Sequence, residues 1–221
     1  MRWLGKAVLV CGVIALACTA TQAQFGIGMR GFGGAAMLLT NKGVQDELKL
    51  TKEQTEKLSE MQQKMFGKMQ DLFGKLQDVK PEERAEKAQA LFKEASAEAE
   101  KEIKAILKPE QMKRLKQIEM QQAGVQNFAN EEVLKAVKLT DAQKDKIKII
   151  VNDLNKQTQE AFKAAGRDPA KVAEVRKKME SLRKDADDKV SAILNAEQKK
   201  AYKEMLGEPF ELKFERPNIK P

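Results

Sequence analysis

The nearest approach to catalytic chemistry in this sequence is a pair of adjacent-carboxylate sites, Glu82-Glu83 and Asp187-Asp188. Two carboxyls can share general acid and general base work only if both face one reacting atom. Neighbours on a helix point about 100° apart, so neither pair converges. The chain has no histidine, its cysteines are Cys11 and Cys18, and its one tyrosine is Tyr202. Without an imidazole, and without a thiol beyond the N-terminal stretch, the sequence predicts no enzyme, no metal site and no cofactor.

Recognition chemistry is better represented. From Met65 to Asp78 the chain reads "MFGKMQD LFGKLQD", one seven-residue phrase written twice. On a helix, Met65, Met69, Leu72 and Leu76 gather into one stripe, Phe66 and Phe73 sit on its shoulder, and Gly67 and Gly74 fall nearly opposite. Each interior glycine weakens a helix by about 1 kcal/mol relative to alanine. Met61 extends the stripe, and methionine is unbranched and polarizable, suited to surfaces that must fit varied shapes. Lys64, Lys68 and Lys75 could draw in acidic segments. The candidate binding surface is therefore Met61, Met65, Phe66, Met69 and Phe73, with Lys64, Lys68 and Lys75 around it. Its competitor is ordinary core packing.

An internal repeat defines the elements that must carry this surface. "NKGVQDELKLTKEQTEKL" overlies "NEEVLKAVKLTDAQKDKI" at an offset of 89, and "AILKPEQMKRLKQI" overlies "AILNAEQKKAYKEM" at an offset of 87. A tandem duplication follows, with units at residues 37–123 and 125–206. In each "L-T-x-x-Q" the threonine can cap a helix while the glutamine three places on reaches back to the threonine amide. Leu50, Thr51, Gln54, Leu139, Thr140 and Gln143 are accordingly structural, with the leucines packing on another helix. Pro109 fits a first helical position and Asn195 a cap, whereas Lys108 has no acceptor with which to cap. The predicted helices run about Met37 to Leu48, Thr51 to Val79, Glu82 to Leu107 and Pro109 to Gln122, then Phe128 to Val137, Asp141 to Ala165, Pro169 to Leu194 and Ala196 to Leu206. Stripes at Ala88, Phe92, Ala95, Ala99, Ile103 and Ile106, and at Ile147, Val151, Leu154 and Phe162, supply their buried faces. The fold class expected is all-α, with long antiparallel hairpins and no sheet.

The flanks have other roles. Residues 1–23 carry Arg2 and Lys6, an apolar run from Ala7 to Ala17 and a small-residue end, the layout of a secretory signal cleaved after Ala23. The run is shorter than the roughly 20 residues a spanning helix needs, so no stable membrane insertion is expected. A lipoprotein signal at Cys18 is the rival, but "ALAC" places Leu16 directly before Ala17, out of order for that motif. The reading is a periplasmic or secreted protein with a glycine-rich flexible leader at 24–36 and an extended tail at 207–221. The 41 basic and 33 acidic residues are interspersed, so the net charge of +8 forms no basic arm and no nucleic-acid partner is expected.

Four-helix units opening with "LTKEQ" or "LTDAQ" and closing with "LKPEQ" or "LNAEQ" resemble the Spy/CpxP family of periplasmic L-T-x-x-Q proteins. The resemblance covers nearly all of the chain between the expected signal and tail. It implies a thin, curved, elongated helical dimer, here two units in one chain as a pseudo-dimer. It implies, too, an ATP-independent chaperone that holds unfolded or misfolded envelope proteins on a helical surface. The alternative function it implies is regulatory, binding one folded partner such as an envelope-stress sensor; a homo-oligomer fits either. Lys108 and Asn195 stand where the family has threonine, and the histidines of its metal-binding branches are missing here. No metal is implied.

Overall fold

The computed structural model describes residues 34–77, 79–166 and 168–213. The expected signal, most of the expected leader, residues 214–221 and the side chain of Phe73 lie outside the described residues. The fold is all-α: every regular element among the described residues is helical. In chain order these are α1 (residues 34–38), α2 (Lys42–Glu47), α3 (Lys52–Gln77), α4 (Pro81–Ile106), α5 (Pro109–Ala123), a 3-10 segment (Gly124–Ala129), α6 (Glu131–Val137), α7 (Asp141–Ala165), α8 (Pro169–Ile193) and α9 (Ala196–Leu206). Helices α3 and α4 pair as one long hairpin, α7 and α8 as another, and α5 packs on α9.

Side-chain caps fix where the hairpins begin. The Gln54 amide donates to Thr51 Oγ1 at 3.2 Å and the Thr51 amide to Gln54 Oε1 at 3.1 Å. Thr140 and Gln143 repeat the exchange at 3.3 and 3.0 Å, and Asn195 and Gln198 at 2.8 and 3.0 Å. Lys108 manages half of it, its amide donating to Gln111 Oε1 at 2.9 Å, because lysine offers no acceptor. Each full cap is worth about 1 kcal/mol. The turn before each L-T is also alike: Lys49 and Lys138, 89 residues apart, take φ of 49° and 52°, a left-handed conformation uncommon outside glycine. At the tips, Arg84 donates to the Val79 carbonyl at 3.0 Å, and Asp168 accepts from the amides of Ala170 and Lys171 to start α8.

Each half builds its own core. The first contains Leu39, Val44, Leu48, Leu58, Ile103, Leu107, Leu115 and Ile118; the second contains Phe128, Val133, Val137, Leu139, Ile147, Val151, Val190 and Leu194. Matching positions are buried in both, as with Val44 and Val133 or Leu107 and Leu194. Leu50, half-buried, packs on the first core and Leu139 is buried in the second, so both motif leucines serve packing. Tyr202 is structural: its ring lies 4.8 Å from that of Phe128 and its hydroxyl donates to the Gly124 carbonyl at 3.1 Å.

Three boundaries and one burial differ from expectation. The leader is expected to run flexibly to residue 36, but residues 34–38 are helical and Ala36 is buried, because Ala-Ala-Met-Leu-Leu combines helix formers with apolar surface. The helix expected from Met37 to Leu48 is broken at Leu39 to Asn41, where the Asn41 side chain caps α2 by accepting from the Val44 amide. Asn130 likewise caps α6, leaving Phe128 in the 3-10 segment. Phe162, expected in a buried stripe, is 40% exposed, since Ile147, Val151, Leu154 and Ala165 already occupy the inward face.

Beyond Gly207, whose φ of 65° turns the chain out of α9, residues 208–213 run without helix back over the first half. Phe210 and Leu212 pack on the first core, and Asn41 Nδ2 donates to the Lys213 carbonyl at 2.8 Å. The tail thus lies against the helices.

Candidate functional site

The motif glutamines do more than cap. Gln54 Nε2 donates to the Ile106 carbonyl and to Gln111 Oε1, both at 2.8 Å, while Gln111 Nε2 donates back to Gln54 Oε1 at 3.1 Å and to the Leu48 carbonyl at 3.0 Å. In the second half, Gln143 Nε2 reaches the Ile193 carbonyl at 2.9 Å and Gln198 Oε1 at 2.8 Å, and Gln198 Nε2 returns to Gln143 Oε1 at 2.9 Å. Each reciprocal pair ties the first turn of a hairpin to the first turn of a closing helix. Thr51 and Thr140 remain exposed, engaged with their own helix starts. The capping box is legible from spacing; the cross-helix pair is not, though the glutamine in each closing motif is its trace.

The candidate surface on α3 divides. Met61 is 2% exposed and belongs to the first core beside Leu58 and Ile103, so its expected part in binding is corrected: three residues beyond Leu58, it faces inward. Met65 and Met69 are half-buried; Met65 touches the first core, and both pack on a smaller cluster of Leu76, Ala88 and Phe92 between α3 and α4. Phe66 is 68% exposed. Lys64, Lys68 and Lys75 are exposed, and Lys68 forms an ion pair with Glu98 across the hairpin. The hollow between Lys64, Met65 and Lys68 of α3 and Ala95, Glu98 and Glu102 of α4 has a volume of about 10 Å³, no more than one water could use. What α3 presents is an aromatic ring on an open face, not a pocket.

A much larger concavity lies elsewhere. An open cleft of about 1500 Å³ separates α1, α2 and α5 from α7 and α8. Met37 and Leu38 line it on one side, Leu154 and Met179 on the other, with Met120 between them. Met37 is 68% exposed. Acidic and basic side chains line it in equal number, among them Lys116 with Glu119 and Arg183 with Asp187. Sequence alone does not assemble this cleft, because its walls come from segments far apart in the chain. Yet the repeat connects the two surfaces: at an offset of 89, Met65, Phe66 and Met69 correspond to Leu154, Asn155 and Thr158, all of which line the cleft.

Two carboxyls at the cleft are perturbed. Burial pushes Glu119 up to about 7, against the opposing charge of Lys116 and with help from Glu100. The Gly34 backbone sits over it; a Cβ there would lie 3.1 Å from Glu119 Oε1. Desolvation also raises Asp187, opposed first by the Val125 amide that donates to it. Among the described residues no group of three or more acidic, histidine or cysteine side chains could hold a metal ion. No helix of the described residues is long and apolar enough to cross a membrane. The chain matches no protein-family model, no curated protein and no solved structure at a significant level.

Proposed function

We propose that this protein is an ATP-independent extracytoplasmic chaperone, a holdase that binds unfolded or misfolded envelope proteins. The observation that carries the reading is the open cleft, where Met37, Met120 and Met179 offer adaptable apolar surface among equal numbers of acidic and basic side chains. A holdase needs apolar area that is accessible but dispersed, and charge that keeps the complex dissolved. Dispersed exposure is what the chain supplies: Met37 and Phe66 are each 68% exposed, on separate elements. The repeated units, in this reading, act as a covalent pseudo-dimer of the Spy/CpxP kind, and the sequence from Met1 to Ala23 directs the chain across a membrane.

The test is aggregation of a chemically unfolded model protein with and without this chain, no nucleotide added. Suppression at near-stoichiometric ratio is the expected result. Unchanged turbidity at several-fold excess overturns the proposal and leaves the regulatory reading, recognition of one folded partner, to be pursued by pull-down.

A further inference from the structure

The seat of residues 208–213 is built in the manner of a peptide site. Polar side chains of the first half hold this segment by its backbone. Gln121 Nε2 donates to the carbonyls of Leu206 and Glu208, each at 2.7 Å, and Gln121 Oε1 accepts from the Phe210 amide at 2.8 Å. Arg114 donates to the Glu208 carbonyl at 2.8 Å, and Asn41 to the Lys213 carbonyl at 2.8 Å. Contacts to backbone carbonyls and amides are indifferent to sequence. From Pro209 to Lys213 the side chains alternate: Phe210 and Leu212 pack on the first core while Pro209, Glu211 and Lys213 are exposed, the period of an extended strand. Gly43 of α2 lies beside the phenyl ring, where a Cβ would stand 3.9 Å from Phe210, an ordinary van der Waals contact. Pro209 narrows the backbone of the segment before it binds.

We propose that this groove on α2 and α5 is a binding site for extended polypeptide carrying apolar side chains two residues apart, with the chain's own residues 208–213 as its resident occupant. Backbone-directed hydrogen bonds with pockets for alternate side chains are how extended peptides are recognised without a fixed sequence. The groove joins the cleft, since Asn41 and Gln121, which hold the tail, also line the cleft, as do Leu212 and Lys213 of the tail itself. A client segment that displaces the tail therefore enters the groove from the cleft. This use of the groove rests on the holdase reading; the groove's ability to bind peptide does not.

The experiment uses a fluorescent synthetic peptide of the sequence from Gly207 to Lys213 and a control with serine in place of its Phe and Leu. Binding is measured by anisotropy to the native chain and to the double variant Phe210→Ser with Leu212→Ser, whose tail no longer fits. A tethered occupant competes at an effective concentration on the order of mM, so the double variant should bind the peptide at least tenfold more tightly than the native chain. The control peptide should bind neither. Equal binding by both chains, or by neither, overturns the proposal. Circular dichroism checks folding; if the double variant unfolds, Phe210→Ala alone is measured in the same way, and unfolding of that variant too would overturn the proposal by making the tail a fixed part of the core. Aggregation suppression, run in parallel on the native chain, reports on the holdase reading separately.

Discussion

Gln54 and Gln111 donate to each other across the junction of α3 and α5, at 2.8 and 3.1 Å, and both are buried. Neither amide has spare capacity: the pair also serves the Thr51 and Lys108 amides and the Ile106 and Leu48 carbonyls. Gln54→Ala strands several of these groups, and a buried polar group left alone costs more than an ordinary hydrogen bond contributes. Denaturant unfolding should show a loss of about 2 to 4 kcal/mol. Gln54→Glu should be no milder, since a carboxylate cannot donate to the Ile106 carbonyl. Gln143→Ala, at a less buried site, should lose less.

Phe66 and Met61 separate binding from stability. Met61→Ala removes a fully enclosed side chain and should cost about 2 to 5 kcal/mol. Phe66→Ala touches an exposed ring, so melting should change little while aggregation suppression falls. Suppression that is unaffected by Phe66→Ala would remove α3 from the working surface.

Gly67 and Gly74 face open space, and a methyl group added at either site would meet nothing within 4 Å. Alanine at both positions should therefore stabilise α3 by up to about 1 kcal/mol each, seen as a higher melting temperature. If a pliant α3 is needed to fit varied clients, the same double variant should protect them less well.

Glu119 gives the fold a pH dependence of defined sign. Its carboxyl is raised from the ordinary 4.5 to about 7, so between those values the unfolded chain gives up a proton that the folded chain retains. Stability should be highest below that window, fall as pH rises through it, and level off above about 7. The full effect is on the order of 3 kcal/mol at most. Glu119→Gln should remove most of this slope and raise stability at about pH 8, measured by denaturant unfolding across the range. Asp187, also raised, leaves a smaller slope of the same sign.

Local signals in the sequence translate well into structure, long-range ones poorly. Thr51, Thr140 and Asn195 start helices because a cap is decided within four residues, and the ends of α7 and α9 coincide with Ala165 and Leu206 as expected. Met61 and Phe162 depart from expectation in opposite directions, because a stripe on a helical wheel says which residues share a face but not how wide the neighbouring helix is. The cleft is invisible for a related reason. Leu38 and Met179 share no sequence window, and their elements are brought together by the packing of α5 against α9 and of the 3-10 segment against α5, α7 and α8. The repeat comes closest: Met65, Phe66 and Met69 share a register with the cleft wall, although they are not in it.

The hydrogen bond from Asn41 to the Lys213 carbonyl closes a separation of 172 residues. A ribosome delivers the chain N-terminus first, so every helix of the first half emerges before the segment that covers its core. Phe210 and Leu212 arrive after α9 is complete. The half that is synthesised first is consequently sealed last, and during that interval its apolar groove lies open to any neighbouring extended segment, including that of another nascent copy. Refolding from denaturant has no such order, since both ends are present from the outset.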